Sequence, residues 1–231
     1  KNKVQLNSTV TRVTKSGEIF KVFYRDQNKM EHFYESYSVI LATPAAVSYW
    51  IGQEILTVEQ KQIIKKVEYA PYITAALFSD LPIFNKGFDL ALPDDSFFTD
   101  IYDATWIERY YNEKLKNRNT WITTIYIAPN SYKDRSILSL SDDEIIKSIY
   151  LQLESVFPNA SNKVKKVEIN RFKYAYPVMT LGAYKRLTRL HETTNNGLYL
   201  AGDYMIYPTF EAAVESGQIA AEKAIVWSQD N

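Results

Sequence analysis

GLYLAGDYMIYPTFEAAVESGQIAAEKA, residues 197–224, decides the reading of the fold. Its apolar run Leu198-Tyr199-Leu200-Ala201 reads as a short buried strand. Gly202 and Asp203 break that strand, and a loop through Pro208 leads into a helix that starts near Phe210. The helix carries small residues at Ala212, Ala213, Ser216, Gly217, Ala220 and Ala224, with Ala221 beside them. Three- and four-residue spacing places them on one stripe. A stripe this small lets a helix lie close to a sheet or to another backbone. The first turn has no bulky β-branched residue, so its free N–H groups can face an anion or an electron-rich oxygen.

Upstream, residues 3–25 read as a hairpin or meander. Val4, Leu6, Val10 and Val13 alternate with polar residues, and Lys15-Ser16-Gly17-Glu18 supplies the turn. A two-sided strand follows from Ile19 through Tyr24, then a second turn at Asp26-Gln27-Asn28-Lys29 and a polar strand over 31–37. The uninterrupted run Val39-Ile40-Leu41-Ala42 suits a strand buried on both faces. Thr43 ends it, and Pro44 can open the short helix expected over 45–51.

The middle of the chain has a different texture. Thr57 is read as the N-cap of a helix over 57–67. Strands are expected at 69–78, near 97–102, at 121–128 and at 164–174. Asn85-Lys86-Gly87, Pro82, Pro93 and Asp94-Asp95 punctuate the piece between the first two strands, and Tyr102, Trp106, Tyr110 and Tyr111 are read as cavity wall or core. Ser141-Asp142-Asp143-Glu144 is a capping box that opens an amphipathic helix to Phe157, where Pro158 stops it. Ala175-Tyr176-Pro177 reads as a break. The four strands should form one mostly antiparallel sheet with this helix packed on it.

Composition narrows the functional classes. The 231 residues carry 27 Lys and Arg against 27 Asp and Glu, which gives no electrostatic case for nucleic acid. No apolar run is long enough to span a bilayer. Zero cysteines exclude disulfides, thiolate metal sites and cysteine nucleophiles, and fit a cytoplasmic setting. His32 and His191 are the only histidines, so no metal site is expected. The 18 tyrosines offer flat faces with polar tips, suited to a core or a cavity lining.

Strand, Gly202-Asp203, loop, Glu211-Ala212-Ala213 helix: this order resembles the C-terminal flavin-binding motif of the FAD-dependent amine oxidase superfamily. That superfamily includes monoamine and polyamine oxidases, protoporphyrinogen oxidase and phytoene desaturase-type enzymes. The resemblance implies that Asp203 contacts the ribityl–pyrophosphate region of FAD. It implies that the helix opening at Phe210, with Glu211-Ala212-Ala213 in place of the family's Glu-Gly-Ala, faces the flavin ring. Earlier in the chain, Val10 stands where a strand lays its backbone against adenine, and Thr43-Pro44 end a strand that runs past the cofactor. Phe172-Lys173-Tyr174-Ala175-Tyr176-Pro177 is similar to a family segment, aromatic-x-x-Ala-x-Pro, that runs towards the flavin; many relatives have tryptophan where Phe172 stands. Tyr174, Tyr176 and Tyr207 are candidates to flank the ring and line a substrate cavity, with core packing as their other reading. No lysine sits in a recognisable version of the family's lysine near flavin N5, so no catalytic residue is assigned.

The family's Gly-x-Gly-x-x-Gly unit has no counterpart, because the seven glycines, at 17, 52, 87, 182, 197, 202 and 217, never approach that spacing. The chain is therefore read as the C-terminal part of a longer oxidoreductase. It would be inactive alone and hold FAD weakly, and the surface shaped for the missing segment would invite self-association. The expected fold is α+β / α/β: a partial Rossmann-like FAD-binding domain from 1–45 and 190–231, around an antiparallel substrate-binding domain at 46–189. The expected reaction oxidises a C–N or C–C bond of a small-molecule substrate by hydride transfer to flavin. Two alternatives stay open: a non-enzymatic binding module that kept the substrate domain, and a flavin-dependent isomerase of the sugar-nucleotide mutase kind.

Overall fold

Alternation and turn chemistry build the first sheet. The structure, a computed structural model, describes residues 4–84, 87–93, 96–116, 119–193 and 196–230. β1 (Thr9–Ser16), β2 (Ile19–Arg25) and β3 (Glu31–Ser36) form an antiparallel meander in the order β1-β2-β3. Val13 and Phe20 are its buried members. The Asp26 carboxylate closes the second turn by accepting the N–H groups of Asn28 and Met30 at 2.8 and 3.0 Å.

Next, β4 (Val39–Leu41) pairs in parallel with β10 (Leu198–Leu200), which lies near the far end of the chain. β10 is buried throughout, but in β4 Ile40 is 38% exposed between the buried Val39 and Leu41, so the expected burial on both faces is corrected: one face of β4 is left uncovered. Gly197 makes the entry into β10 possible. Its φ is +81°, and a Cβ there would stand 2.6 Å from the Tyr37 carbonyl oxygen. α1 (Ala45–Ile51) follows β4, and α2 (Val58–Ile64) opens on a full capping box between Thr57 and Gln60. α5 (Ala183–Thr193) packs on α2, with the Gln60 amide donating to the Thr193 carbonyl at 2.9 Å. α6 (Phe210–Asp230) runs along β10, burying Ala220 against Tyr199 and Ala201.

The middle of the chain forms a five-stranded sheet in the order β6-β7-β8-β5-β9. Its strands are β5 (Glu68–Ser79), β6 (Asp89–Ala91), β7 (Asp100–Asp103), β8 (Trp121–Ile127) and β9 (Val164–Val178). The β5–β8, β6–β7 and β7–β8 pairs are antiparallel. α4 (Asp142–Val156) covers one face, burying Ile145, Ile149 and Leu153 in the same core as Ile73, Leu77 and Ile125. Its capping box is complete, with Glu144 N–H reaching Ser141 Oγ and Ser141 N–H reaching the Glu144 carboxylate. α3 (Trp106–Tyr111) is a short surface helix with no buried residue.

By contact the chain divides into two compact units, one of residues up to Glu68 together with those from Pro177, the other Tyr69–Tyr176. These divisions fall at 68/69 and 176/177, against the 45/46 and 189/190 read from the sequence. The expected break at Ala175-Tyr176-Pro177 is corrected, because β9 runs on to Val178. β9 is an edge strand, where a proline's missing N–H can face away from the ladder. The strand expected near 97–102 begins only at Asp100, while Phe98 is buried outside it. The punctuation at Asn85-Lys86 and Asp94-Asp95 lies outside the described residues. Among the described residues no helix is long and apolar enough to cross a membrane.

Candidate functional site

Two parallel strands end side by side. β4 and β10 pair from Val39↔Leu198 to Leu41↔Leu200, and the Ala201 N–H adds a further bond to the Leu41 carbonyl at 3.1 Å. Parallel strands present ligands at their carboxyl ends. Here those ends are Thr43-Pro44 and Gly202-Asp203. A Cβ built on Gly202 would lie 4.0 Å from the Thr43 carbonyl oxygen, so the two ends are close neighbours.

Gly202 is glycine for two reasons. Its φ of +146° is costly for other residues, and a Cβ would approach the Tyr204 ring to 2.8 Å. Its N–H donates to Ser216 Oγ at 2.9 Å, and that hydroxyl donates to the Ala213 carbonyl at 2.9 Å. Ser216 thus ties the strand end to α6. In the sequence it counted only as one more small residue of the stripe; its hydroxyl was the signal that could have set it apart.

Asp203 is half-buried, and one of its oxygens accepts the Tyr204 N–H at 2.8 Å. Burial pushes its carboxyl above the usual range, while bonds from the Tyr204 and Asp203 N–H groups pull it back in part. No cation contributes to that balance. Tyr204 beside it is fully buried, and burial holds its phenol protonated. Ser48 lies near enough to ease that shift, yet the Ser48 hydroxyl bonds Thr43 Oγ1 at 2.8 Å, and the Tyr204 oxygen has no hydrogen bond of acceptable geometry among the described residues.

α6 begins beside this cluster, where the 203–205 turn packs on it. Thr209 caps it: its Oγ1 accepts the Ala212 N–H at 3.1 Å and its carbonyl the Ala213 N–H at 3.1 Å. The N–H groups of Phe210 and Glu211 precede the first intrahelical bond. Phe210, Glu211 and Val214 are exposed, whereas Ala212 is buried. The Glu211 carboxylate also sits in the first turn, where it complements the helix dipole.

The remaining sequence candidates are dispersed. Val10 lies in the meander, exposed, at a register shift between Val10 and Arg12. Tyr207 is half-buried in the loop before α6, its carbonyl accepting the Thr209 N–H at 2.8 Å. Tyr174 and Tyr176 belong to the middle unit, where Tyr174 meets Tyr69 and Tyr176 meets Tyr72, both edge to face. Of the other cavity or core aromatics, Trp106, Tyr110 and Tyr111 stand exposed on α3. Among the described residues no group of His, Asp and Glu could hold a metal ion.

One half-buried carboxylate with no cation beside it among the described residues, N–H groups at a helix start and two adjoining backbone strand ends can receive a ligand rich in hydroxyls with an electron-rich ring. The model of the flavin-containing amine oxidoreductase family matches residues 1–225. The chain belongs to that family. No curated protein sequence matches it significantly. Among solved structures, it is similar to cyclohexylamine oxidase from Brevibacterium oxydans at TM-score 0.71 and 12% identity, covering 96% of this chain and 48% of that one. A CLA-producing fatty acid isomerase from P. acnes superposes at TM-score 0.63 and 16% identity, covering 93% and 47%. An Exiguobacterium protein assigned as a protoporphyrinogen oxidase gives TM-score 0.65 and 14% identity, again covering 93% and 47%. At these identities the likeness is one of fold, and the chain spans about half the length of each structure. The family is flavin-containing, and the residues gathered at the β4 and β10 ends fit such a group.

Proposed function

We propose that the chain supplies part of the FAD site and a substrate-binding unit of an oxidoreductase that oxidises a C–N or C–C bond. The observation that carries the reading is the meeting of Thr43, Gly202, Asp203 and the start of α6 at two parallel strand ends, in a chain of the flavin-containing family. Asp203 would accept hydrogen bonds from the ribityl hydroxyls. The Phe210 and Glu211 N–H groups would face the electron-rich edge of the ring. Pro44, Ala212 and Ala213 would let backbone approach closely, and the exposed Val10 would offer strand backbone to the adenine. When bound, the flavin supplies the redox chemistry, accepting hydride from the substrate; the protein's part is to orient the ring and exclude water. The fatty acid isomerase shares the fold, so an isomerisation on the same scaffold is the second reading.

The chain by itself should hold FAD weakly. A dinucleotide's pyrophosphate is normally held at a glycine-rich helix start, and the sequence has no Gly-x-Gly-x-x-Gly. Several charge-assisted bonds of roughly 1.5–3 kcal/mol each are then missing. Titration followed by flavin fluorescence should give a Kd of about 10 µM or weaker. Asp203→Ala should weaken it further. Stoichiometric sub-micromolar binding would show that the binding energy lies elsewhere, and no binding at about 1 mM FAD would overturn the flavin reading.

A further inference from the structure

Asp203 stands on a turn too short to hold itself. The turn over 203–205 is closed by two backbone bonds of its own. The Met205 N–H donates to the Gly202 carbonyl at 3.0 Å, and the Ile206 N–H to the Asp203 carbonyl at 3.1 Å. One such turn fixes several backbone dihedrals for very few hydrogen bonds, so it is unstable alone. Its conformation is set by what it is tied to.

Three ties from α5 and α6 close on one another. On one side, the Gly202 N–H donates to Ser216 Oγ of α6 at 2.9 Å. On the other, Nε2 of His191, in the last turn of α5, meets the Met205 carbonyl at 2.9 Å. Between the helices, Lys223 Nζ of α6 donates to the His191 carbonyl at 3.3 Å. The turn, α5 and α6 thus form a closed triangle, all within one compact unit. A carbonyl only accepts, so His191 Nε2 carries a proton. Met205 is buried, so its carbonyl depends on a protein donor.

A histidine near a helix end that bonds a carbonyl is by itself an ordinary structural contact. The carbonyl it selects gives it a further part. Met205 ends the turn that Asp203 begins. The Asp203 carboxylate is fastened inside the same turn, to the Tyr204 N–H at 2.8 Å, and no cation fixes it from outside. Its direction therefore follows the turn.

We propose that His191 is a positioning residue: its Nε2–H fixes the 203–205 turn and, with it, the direction of the Asp203 carboxylate. What Asp203 does for FAD rests on the reading above; the hold of His191 on the turn does not. His191→Leu keeps most of the bulk without a donor, and His191→Gln places an amide N–H near the position of Nε2. Far-UV circular dichroism checks folding; should His191→Leu not fold, His191→Asn, whose amide stops short of the carbonyl, takes its place. In the chain without flavin, amide hydrogen exchange at Met205 and Ile206 should be at least about tenfold faster in His191→Leu, and within about threefold of the parent in His191→Gln. In FAD titrations, His191→Leu should raise Kd about tenfold and His191→Gln by no more than about twofold. In an Asp203→Ala background His191→Leu should have no further effect on Kd, because the carboxylate it positions is gone. General destabilisation would give another pattern, faster exchange along β4 and β10 as well and an effect on Kd that survives the loss of Asp203. Either of those results, or unchanged exchange at Met205 and Ile206, would overturn the proposal. Faster exchange confined to the turn in His191→Leu, in a parent that binds no FAD, would support the hold on Asp203 and sink the flavin reading alone.

Discussion

α4 and α6 both lie against strands, yet they bury opposite kinds of side chain. α4 presses Ile145, Ile149 and Leu153 into the middle unit's core, all fully buried. α6 buries Ala212, Ser216 and Ala220, and leaves Phe210, Val214, Ile225 and Val226 largely outside. Each large aliphatic side chain buried by α4 contributes roughly 1.5–3 kcal/mol, and an alanine methyl far less. α6 gains something else from its small residues: its axis comes near enough to β10 for Ser216 to hold the Gly202 N–H. The first helix stabilises a sheet, whereas the second positions backbone. The backbone it positions is that of the candidate flavin site.

The contrast can be broken by truncation. Ile149→Ala should cost about 2–5 kcal/mol, because the site is fully packed and the cavity would persist. Val214→Ala on the exposed side of α6 should change stability by no more than about 0.5 kcal/mol. Urea unfolding followed by tyrosine and tryptophan fluorescence reads both. Equal losses would mean that α6 packs as α4 does.

A smaller effect of opposite sign sharpens it. Gly217 lies within α6, and a Cβ there would meet nothing within 4 Å. Gly217→Ala should therefore stabilise the chain by up to about 1 kcal/mol, through helix propensity alone. A loss of stability in the same unfolding experiment would show that something approaches that face of the helix.

Elements governed by local rules were legible in the sequence. The meander follows from alternation and from the turns at Gly17 and Asp26, α4 from its capping box, and β10 with α6 from an apolar run, Gly202-Asp203 and a small-residue stripe. α5 went unread because its buried face is only Ala183, Leu187 and Leu190 among lysines, arginines and threonines. Pro177 misled, since on β9, an edge strand, its missing N–H can face away from the ladder. At the candidate flavin site, Gly202, Asp203 and the start of α6 were readable as a contiguous motif. Ser216 was not, because its role depends on how close α6 comes to β10. His191 was hidden for a related reason, because only the fold brings the end of α5 to the Met205 carbonyl.

The central claim is that the ends of β4 and β10, with the start of α6, receive the flavin. Amide chemical-shift mapping tests it most directly, because it locates weak binding. On addition of FAD to the isotopically labelled chain, the largest changes should fall at Gly202, Asp203, Phe210, Glu211 and Ala212. The strands β5 to β9 should stay still. Changes confined to residues 69–176, or none at FAD concentrations where fluorescence reports binding, would contradict the account.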